Sequence, residues 1–136
     1  MKWIQLFLAG LAPVKRKAIA DEVLIEGGSI ETAEVDALDE QAVEEHMNEV
    51  IKKAGRVDIS FNAIGVSSKD VQHTLFVDLP VANFSYPIVT YTESHFITAK
   101  AGARRMIKWG HGAIIMHTAN LSQVNAPMGA AGDPPY

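Results

Sequence analysis

The pattern of apolar and polar residues divides this chain into alternating helix-like and strand-like segments. Short apolar runs at 56–62 and 113–116 predict buried strands, and an alternating stretch at 29–35 predicts a third strand. Apolar residues three or four positions apart predict helices over 14–26, 40–54 and 88–109. The order helix, strand, helix, strand, connection, helix, strand is typical of a parallel sheet with right-handed crossovers. We therefore predict an α/β fold.

Each predicted helix has an apolar face that would lie against the core. Asp39 is placed to cap the second helix, because its carboxylate can accept free first-turn N–H groups. Gly55 would end that helix, and Gly27 with Gly28 would end the first. The predicted core-facing residues are Val14, Ala18, Val23 and Ile25 in the first helix, Val43, Met47, Val50, Ile51 and Ala54 in the second, and Phe96, Ala99, Ala103, Met106 and Ile107 in the third.

The N-terminal segment, residues 1–13, is atypical of the domain predicted at 14–136. Its apolar run from Trp3 to Ala12 is similar to a weak signal-peptide core, but it is too short to span a bilayer, which needs about 20 apolar residues. The alternatives are a terminal strand or helix, or a non-native start. Residues 66–87 predict a connection with one short helix, and the tail from Asn120 predicts a loop.

Composition narrows the class of partner. The net charge of −4 argues against nucleic acid as the main partner, since phosphate binding favours a basic face. The short basic cluster Lys15–Lys17 is read as the solvated face of a helix, and no partner membrane is expected. The chain has no cysteine, which excludes disulfides and thiolate sites and fits a reducing, cytoplasmic location. The histidines show no metal-ligand spacing, so we predict no metal.

Polar groups follow two of the predicted strands at the point where each strand ends. Asp36 comes just after the first of these strands, and Asn62 ends the next one. Open α/β sheets bind their ligands at the carboxyl ends of parallel strands, so the pattern predicts a nucleotide-type pocket there. Gly65 has no Cβ, which allows a ribose to approach closely or the chain to turn tightly. The alternative is that Asn62 only ends a strand and Gly65 only turns the chain.

From about residue 14 onward the chain resembles the short-chain dehydrogenase/reductase family. Val35-Asp36-Ala37-Leu38-Asp39-Glu40 is similar to the acidic strand-end motif of that family, and Asn62-Ala63-Ile64-Gly65 resembles its Asn-Asn-Ala-Gly segment. Residues 94–100 and 106–115 resemble its long interface helix and the strand that follows. The resemblance implies a partial Rossmann-like (doubly wound) parallel sheet with flanking helices. It also implies NAD or NADP as cofactor, with Asp36, Ala37, Asn62, Ala63 and Gly65 on the adenosine side.

Two features of the family pattern are incomplete in this sequence. The glycine-rich loop that holds the cofactor diphosphate is absent, so we expect the family's first strand, the helix after it and the second strand to be missing. At the catalytic end, the resemblance assigns the acid/base role to Tyr136 and the carbonyl-orienting role to either Ser122 or Thr118. The position at which the family has a catalytic asparagine holds Tyr91. The family's lysine, four residues after the tyrosine, would fall beyond Tyr136.

The resemblance implies an oxidoreductase that transfers hydride between NAD(P) and a small carbonyl or alcohol substrate. Without the diphosphate loop and the lysine, we expect this chain to bind cofactor weakly or not at all and to show no turnover. The alternative is a non-catalytic module that associates with a partner, or with a second copy of itself, through the 88–109 helix. A third hypothesis, an exported small binding domain, depends only on residues 1–12.

Overall fold

The fold was determined as a computed structural model, which describes residues 5–65 and 74–117. The element order is that of an α/β protein, as the sequence pattern predicted. Thr118, Ser122, Tyr136, the predicted C-terminal loop and part of the 66–87 connection lie outside the described residues. The elements are β1 (Gln5–Ala9), α1 (Pro13–Ile25), β2 (Ser29–Ala33), α2 (Glu40–Ala54), β3 (Ile59–Asn62), a 3₁₀ turn (Phe76–Asp78), α3 (Val81–Met106), a second 3₁₀ turn (Ile107–Trp109) and β4 (Ala113–Met116).

The strands form two separate two-stranded parallel sheets. In one, β1 pairs with β2, with Gln5 opposite Ser29 and Ala9 opposite Ala33. In the other, β3 pairs with β4. Residues 5–9 are therefore a strand, which was one of the alternatives for the N-terminal segment. The expectation that the strand before β2 is missing was wrong, because β1, α1 and β2 form a complete βαβ unit.

The second sheet and α3 run in opposite directions. Asn62, at the end of β3, donates a hydrogen bond to Thr98 of α3 over 2.9 Å. Two residues earlier on the strand, Ser60 lies against Gly102, one turn further along the helix. A Cβ added to Gly102 would lie 3.0 Å from the Ser60 Cβ, so the absence of a side chain there lets helix and strand approach closely.

The first sheet and α2 are related in the same way. Val43, near the start of α2, packs in a core cluster with Val35, which follows β2. Lys53, near the end of the helix, forms an ion pair with Glu31 in the middle of β2. The start of α2 thus lies near the end of β2 and its end lies further back along the strand, so the two elements are antiparallel.

Helices α2 and α3 lie side by side and run in the same direction. Lys100 forms an ion pair with Glu40 over 2.6 Å, and one turn later Arg104 pairs with Glu44 over 2.8 Å. Because α2 is antiparallel to β2 and α3 is antiparallel to β3, the strands β2 and β3 also point in the same direction. The carboxyl ends of the four strands in the described ranges therefore lie on the same side.

The local signals in α2 correspond closely to its structure. The Asp39 carboxylate accepts a hydrogen bond from the Ala42 N–H over 3.0 Å, and Gly55 ends the helix at a φ of 83°. The predicted apolar stripe is confirmed at Val43 and Val50, which are buried. Further along the stripe, Met47 and Ile51 are half-buried against the core, whereas Ala54 is exposed.

The predicted core face of α1 was wrong except at Val23, which is half-buried. Val14 and Ile25 are 81% and 82% exposed, and the least exposed positions are instead Arg16, Ala20 and Val23. These three residues are spaced at i, i+4 and i+7, so they share one face of the helix. The basic cluster is likewise not wholly solvated, since the Arg16 side chain is only 14% exposed. Arg16 is shielded from solvent because its guanidinium lies against carbonyl groups at the ends of β1 and β2.

The third helix begins earlier than predicted and packs through a different face. It starts at Val81, after Pro80, and its regular part ends at Met106. Met106 is buried as expected, but Phe96 is 65% exposed and Ile107 is 77% exposed. Small residues provide the contacts instead, because they allow the helix to approach β3 closely. The buried positions of the helix are Ser94, Ala101, Gly102 and Met106.

Burial of the strands in the second sheet was also predicted wrongly. Ile59 and Phe61 are 62% and 60% exposed, while Ser60 and Asn62, at the alternate positions of the strand, face α3. All residues of β4 are exposed. Successive side chains of a strand point to opposite faces, and among the described residues only one face of β3 is covered by a helix. The regular strand at this position is Ile59–Asn62, shorter than predicted, and β2 ends at Ala33.

Candidate cofactor site

The first part of the candidate site is the turn that follows β2. The Asp36 carboxylate accepts a hydrogen bond from the Leu38 N–H over 2.9 Å, and the Asp36 carbonyl accepts one from the Asp39 N–H over 3.1 Å. This local bonding leads the chain from β2 into the cap of α2. Asp36 is exposed and Ala37 is half-buried, so the carboxylate lies at the surface of the carboxyl end of the sheet.

The second part is the end of β3, where Asn62 is 6% exposed. Its Nδ2 donates to the Thr98 hydroxyl, and its Oδ1 accepts the Ile64 N–H over 3.0 Å. The side-chain carbonyl of Asn62 thus holds the backbone that leads to Gly65. Both ends of the amide are thus engaged by the protein. Asn62 therefore acts on the site by positioning the 63–65 segment.

The segment after Asn62 provides the open surface. Ala63 and Gly65 are exposed, and a Cβ added to Gly65 would have no neighbour within 4 Å. Sequence reasoning identified Asn62 and Gly65 but missed Thr98, which anchors the Asn62 amide from α3. The sequence feature that could have identified Thr98 is its polar side chain on the side of the helix that faces the sheet, close to the small residues Ala101 and Gly102.

The end of β4 lies beside the end of β3. Asn62 is opposite Met116 in the parallel ladder, and the His117 N–H donates to the Asn62 carbonyl over 3.2 Å. The chain therefore leaves β4 at the carboxyl end that Asn62 also occupies. The candidate catalytic residues Thr118, Ser122 and Tyr136 follow this point and lie outside the described residues, so their relation to Asp36 stays a prediction.

The turn between β1 and α1 does not fit a cofactor diphosphate. A diphosphate is usually held by free N–H groups of a glycine-rich turn at a helix N-terminus. Here Gly10 is the only glycine of the turn, and Pro13 at the first helical position has no N–H. The Arg16 guanidinium binds the carbonyl oxygens of Gly10 and Ala33 and pairs with Glu34. The turn between β1 and α1 thus does not form a cradle for the phosphates of a dinucleotide.

A separate groove of about 360 Å³ lies between α2 and the first sheet. It is lined by carboxylates of both elements together with His46 and Lys53. Burial lowers the pKa of His46, and the nearby Lys53 charge lowers it further. The groove follows β2 from Glu31 to Val35 and does not include Asp36 or Asn62, and in the described ranges no His, Asp and Glu cluster has metal-site geometry.

The sequence as a whole matches a known family profile. Residues 5–132 match the family described as "Enoyl-(Acyl carrier protein) reductase". No curated protein sequence matches the chain significantly.

Several solved structures have the same fold. A short-chain type dehydrogenase/reductase from Mycobacterium marinum is 26% identical, with a TM-score of 0.79 over 93% of this chain and 51% of its own. A metagenomic short-chain oxidoreductase in complex with NADP is 22% identical, with a TM-score of 0.75 over 93% of this chain and 56% of its own. A putative short-chain dehydrogenase/reductase from Burkholderia xenovorans is 23% identical, with a TM-score of 0.77 over 93% of this chain and 48% of its own.

The chain belongs to the short-chain dehydrogenase/reductase family, and its α/β architecture is the Rossmann-like fold of these proteins. It spans about half the length of the structures that it matches. No helix in the described ranges is long and apolar enough to cross a bilayer.

Proposed function

We propose that this chain is an oxidoreductase domain of the short-chain dehydrogenase/reductase type, acting with NAD or NADP on a small carbonyl or alcohol compound. The observation that carries the proposal is the common carboxyl end of β2 and β3. Asp36 at the surface and the 63–65 segment held by Asn62 both lie at that end. Family membership supplies the reaction class, and the NADP complex of one structural neighbour supports this cofactor type.

In this proposal the adenosine half of the cofactor is the part that contacts the described residues. Among the described residues the Asp36 Oδ2 has no hydrogen-bond partner, since the Leu38 N–H is donated to Oδ1, so Oδ2 can accept a hydrogen bond from the adenine amino group. Ala37, Ala63 and Gly65 provide small surfaces on which the base and ribose can lie. The nicotinamide half would supply the hydride, and no residue of the described part is assigned to that step.

Because the phosphate cradle is missing from the described residues, we expect weak affinity for the whole dinucleotide. A dinucleotide gains its extra affinity over AMP largely from diphosphate contacts and from the second nucleoside. We therefore expect AMP and NADP⁺ to bind with similar dissociation constants, in the millimolar range or weaker. The proposal assigns acid/base chemistry to Tyr136 and substrate orientation to Ser122 or Thr118, and it expects no turnover by this chain alone.

The test is a titration of the ¹⁵N-labelled chain with AMP, NAD⁺ and NADP⁺, in which binding is measured by changes in the backbone amide chemical shifts. We expect shifts at the Asp36–Leu38 turn and at Gly65 with all three ligands, and we expect Asp36→Asn to reduce them several-fold. Asp21→Asn, a change of the same type on α1, is the matched control and should leave them unaltered. Absence of shifts at both strand ends would contradict the proposed adenosine site. Micromolar affinity for NADP⁺ would contradict the expectation that the lack of a phosphate cradle makes binding weak.

A second function, association through the 88–109 helix, is favoured by a different observation. Ile88, Phe96 and Trp109 are 52%, 65% and 53% exposed, although each is a large apolar residue. Large apolar side chains that are exposed along one helix are candidates for a contact surface. Light scattering of wild type and Phe96→Glu tests this function, because a helix-mediated oligomer should dissociate in the variant.

A further inference from the structure

The groove between α2 and the first sheet has the size of a small-molecule site. Its volume of about 360 Å³ falls in the range of about 300–1,000 Å³ that is usual for ligand pockets. Apolar side chains of both strands and of α2 line its base, and they are Phe7, Ala33, Val35, Ala42 and Val50. Val35 and Val50 are buried, so the base of the groove is continuous with the core of the protein.

The polar lining of the same groove is mostly acidic. Among the described residues that line it, four are carboxylates, against one lysine and one histidine; the carboxylates are Glu31, Glu34, Glu45 and Glu49. Burial and the nearby Lys53 charge lower the pKa of His46, so this imidazole adds no positive charge at neutral pH. The lining therefore carries an excess of three negative charges.

Two of the four carboxylates are paired with cations of the protein. Lys53 forms its ion pair with Glu31 across the groove. Arg16 of α1 pairs with Glu34 over 3.3 Å, and its guanidinium is also held by strand-end carbonyl groups. Because both cations are engaged in this way, neither of them neutralises the two carboxylates on α2.

Those two carboxylates, Glu45 and Glu49, lie one turn apart on α2. Like charges at this spacing repel one another and destabilise a helix. Glu49 has Lys52 at 3.7 Å, but that contact is largely exposed to solvent and therefore weak. Glu45 accepts a hydrogen bond from the neutral Gln41 amide over 2.8 Å, and among the described residues it forms no ion pair. A cation placed beside Glu45 and Glu49 would relieve their repulsion.

We propose that this groove binds a small organic ammonium compound, with the ammonium group at Glu45 and Glu49 and the apolar part over Phe7. Charge complementarity selects a cation, and the apolar base selects a compound that carries a hydrocarbon or aromatic group. An aromatic group can also pack against the Phe7 ring. A ligand of about ten non-hydrogen atoms should bind with a dissociation constant of about 0.1–5 mM. The inference is independent of the cofactor site, because the groove does not include Asp36 or Asn62.

The test is a titration of the ¹⁵N-labelled chain with 2-phenylethylammonium chloride at neutral pH, in which binding is measured by changes in the backbone amide chemical shifts. We expect shifts at 31–35 and at 45–50. Binding should be about tenfold weaker for 2-phenylethanol, which lacks the charge, and for methylammonium, which lacks the apolar part. Added sodium chloride should weaken the binding of 2-phenylethylammonium several-fold, because salt screens the attraction between exposed charges.

The variant that tests the site combines Glu45→Gln with Glu49→Gln, which removes both charges and keeps the size of the side chains. It should bind 2-phenylethylammonium about tenfold more weakly, and it should stay folded by circular dichroism because it also removes a repulsion within α2. Glu22→Gln combined with Glu26→Gln is the matched control, since these exposed carboxylates have the same spacing at the end of α1. The control should bind like wild type.

Three results overturn the proposal. One is the absence of shifts at 31–35 and 45–50 when wild type is titrated to about 10 mM 2-phenylethylammonium, which is above the expected dissociation constant. Another is equal affinity for 2-phenylethanol, which would remove the role of the charge. The third is unchanged affinity in the folded variant of Glu45 and Glu49, which would place the compound elsewhere.

Discussion

Replacing Thr98 with valine removes the hydroxyl that anchors Asn62 from α3. The Asn62 Nδ2 lies 2.9 Å from this hydroxyl, and the asparagine is 6% exposed. Valine has nearly the same shape as threonine but cannot accept a hydrogen bond. The variant therefore leaves a buried amide donor without its partner, while the packing of α3 on β3 changes little.

The expected cost follows from the burial of that donor. An unsatisfied buried donor costs about 1–3 kcal/mol in the free energy of unfolding. The helix backbone is unaffected, because the hydroxyl's own hydrogen bond to the Ser94 carbonyl adds to the regular pattern. Thr92→Val is the matched control on the same helix, since Thr92 also bonds back to a carbonyl but is exposed. Its expected effect is within about 0.5 kcal/mol.

Urea denaturation followed by circular dichroism measures both variants. A double-mutant cycle with Asn62→Ala then isolates the pair, and we expect a coupling energy of about 1 kcal/mol. Amide shifts at Ile64 and Gly65 provide a second readout, because a released Asn62 no longer positions that segment. If Thr98→Val is no more destabilising than Thr92→Val, the assignment of Asn62 as a positioning residue is refuted.

The remaining predictions concern single contacts and pH. Asp39→Ala should destabilise the fold by about 1 kcal/mol by removing the cap of α2, whereas Asp39→Asn should not. Gly102→Ala should destabilise the fold by about 1 kcal/mol in thermal unfolding, because the new Cβ meets Ser60 at 3.0 Å and an overpacking cost of about 1–3 kcal/mol exceeds the gain in helix propensity of about 1 kcal/mol; Ser60→Gly should recover part of the loss. Burial would raise the pKa of Glu44, but hydrogen bonds from two arginines of α3 outweigh it and lower the pKa. Glu44 therefore stabilises the fold above the ordinary carboxyl pKa of about 4.3, and this contribution is lost as the pH falls through the lowered value; a pH series on Glu44→Gln that retains the dependence would contradict the argument. The lowered pKa of His46 favours its neutral form, so stability should fall as the pH drops below about 6.5, and His46→Gln should remove that loss.

Local signals accounted for α2 and for the strand ends. The cap at Asp39 and the stop at Gly55 depend only on groups within a few residues of each other, so the sequence was sufficient to locate them. The same is true of the Asp36 turn. The family resemblance added the expectation that Asp36 and Asn62 belong to one site, and the common direction of β2 and β3 supports that arrangement.

The faces of α1 and α3 could not be read from apolar spacing. In α1 the contact face includes Arg16, whose charge suggested solvent but whose guanidinium binds strand-end carbonyls. In α3 the contact face consists of small residues, because Gly102 has to lie against Ser60. Phe96 and Ile107, which spacing assigned to the core, are exposed because among the described residues no element packs on that side.

The sequence by itself determined the order of elements from α1 onward, the caps and the identity of the residues at the strand ends, because these depend on short-range bonding and on apolar periodicity. Only the tertiary structure decided that the Asn62 amide is engaged by Thr98 and Ile64, that Arg16 closes the β1–α1 turn and that the four strands form two sheets. Those outcomes depend on contacts between residues far apart in the chain, and such contacts are set by the packing of whole elements.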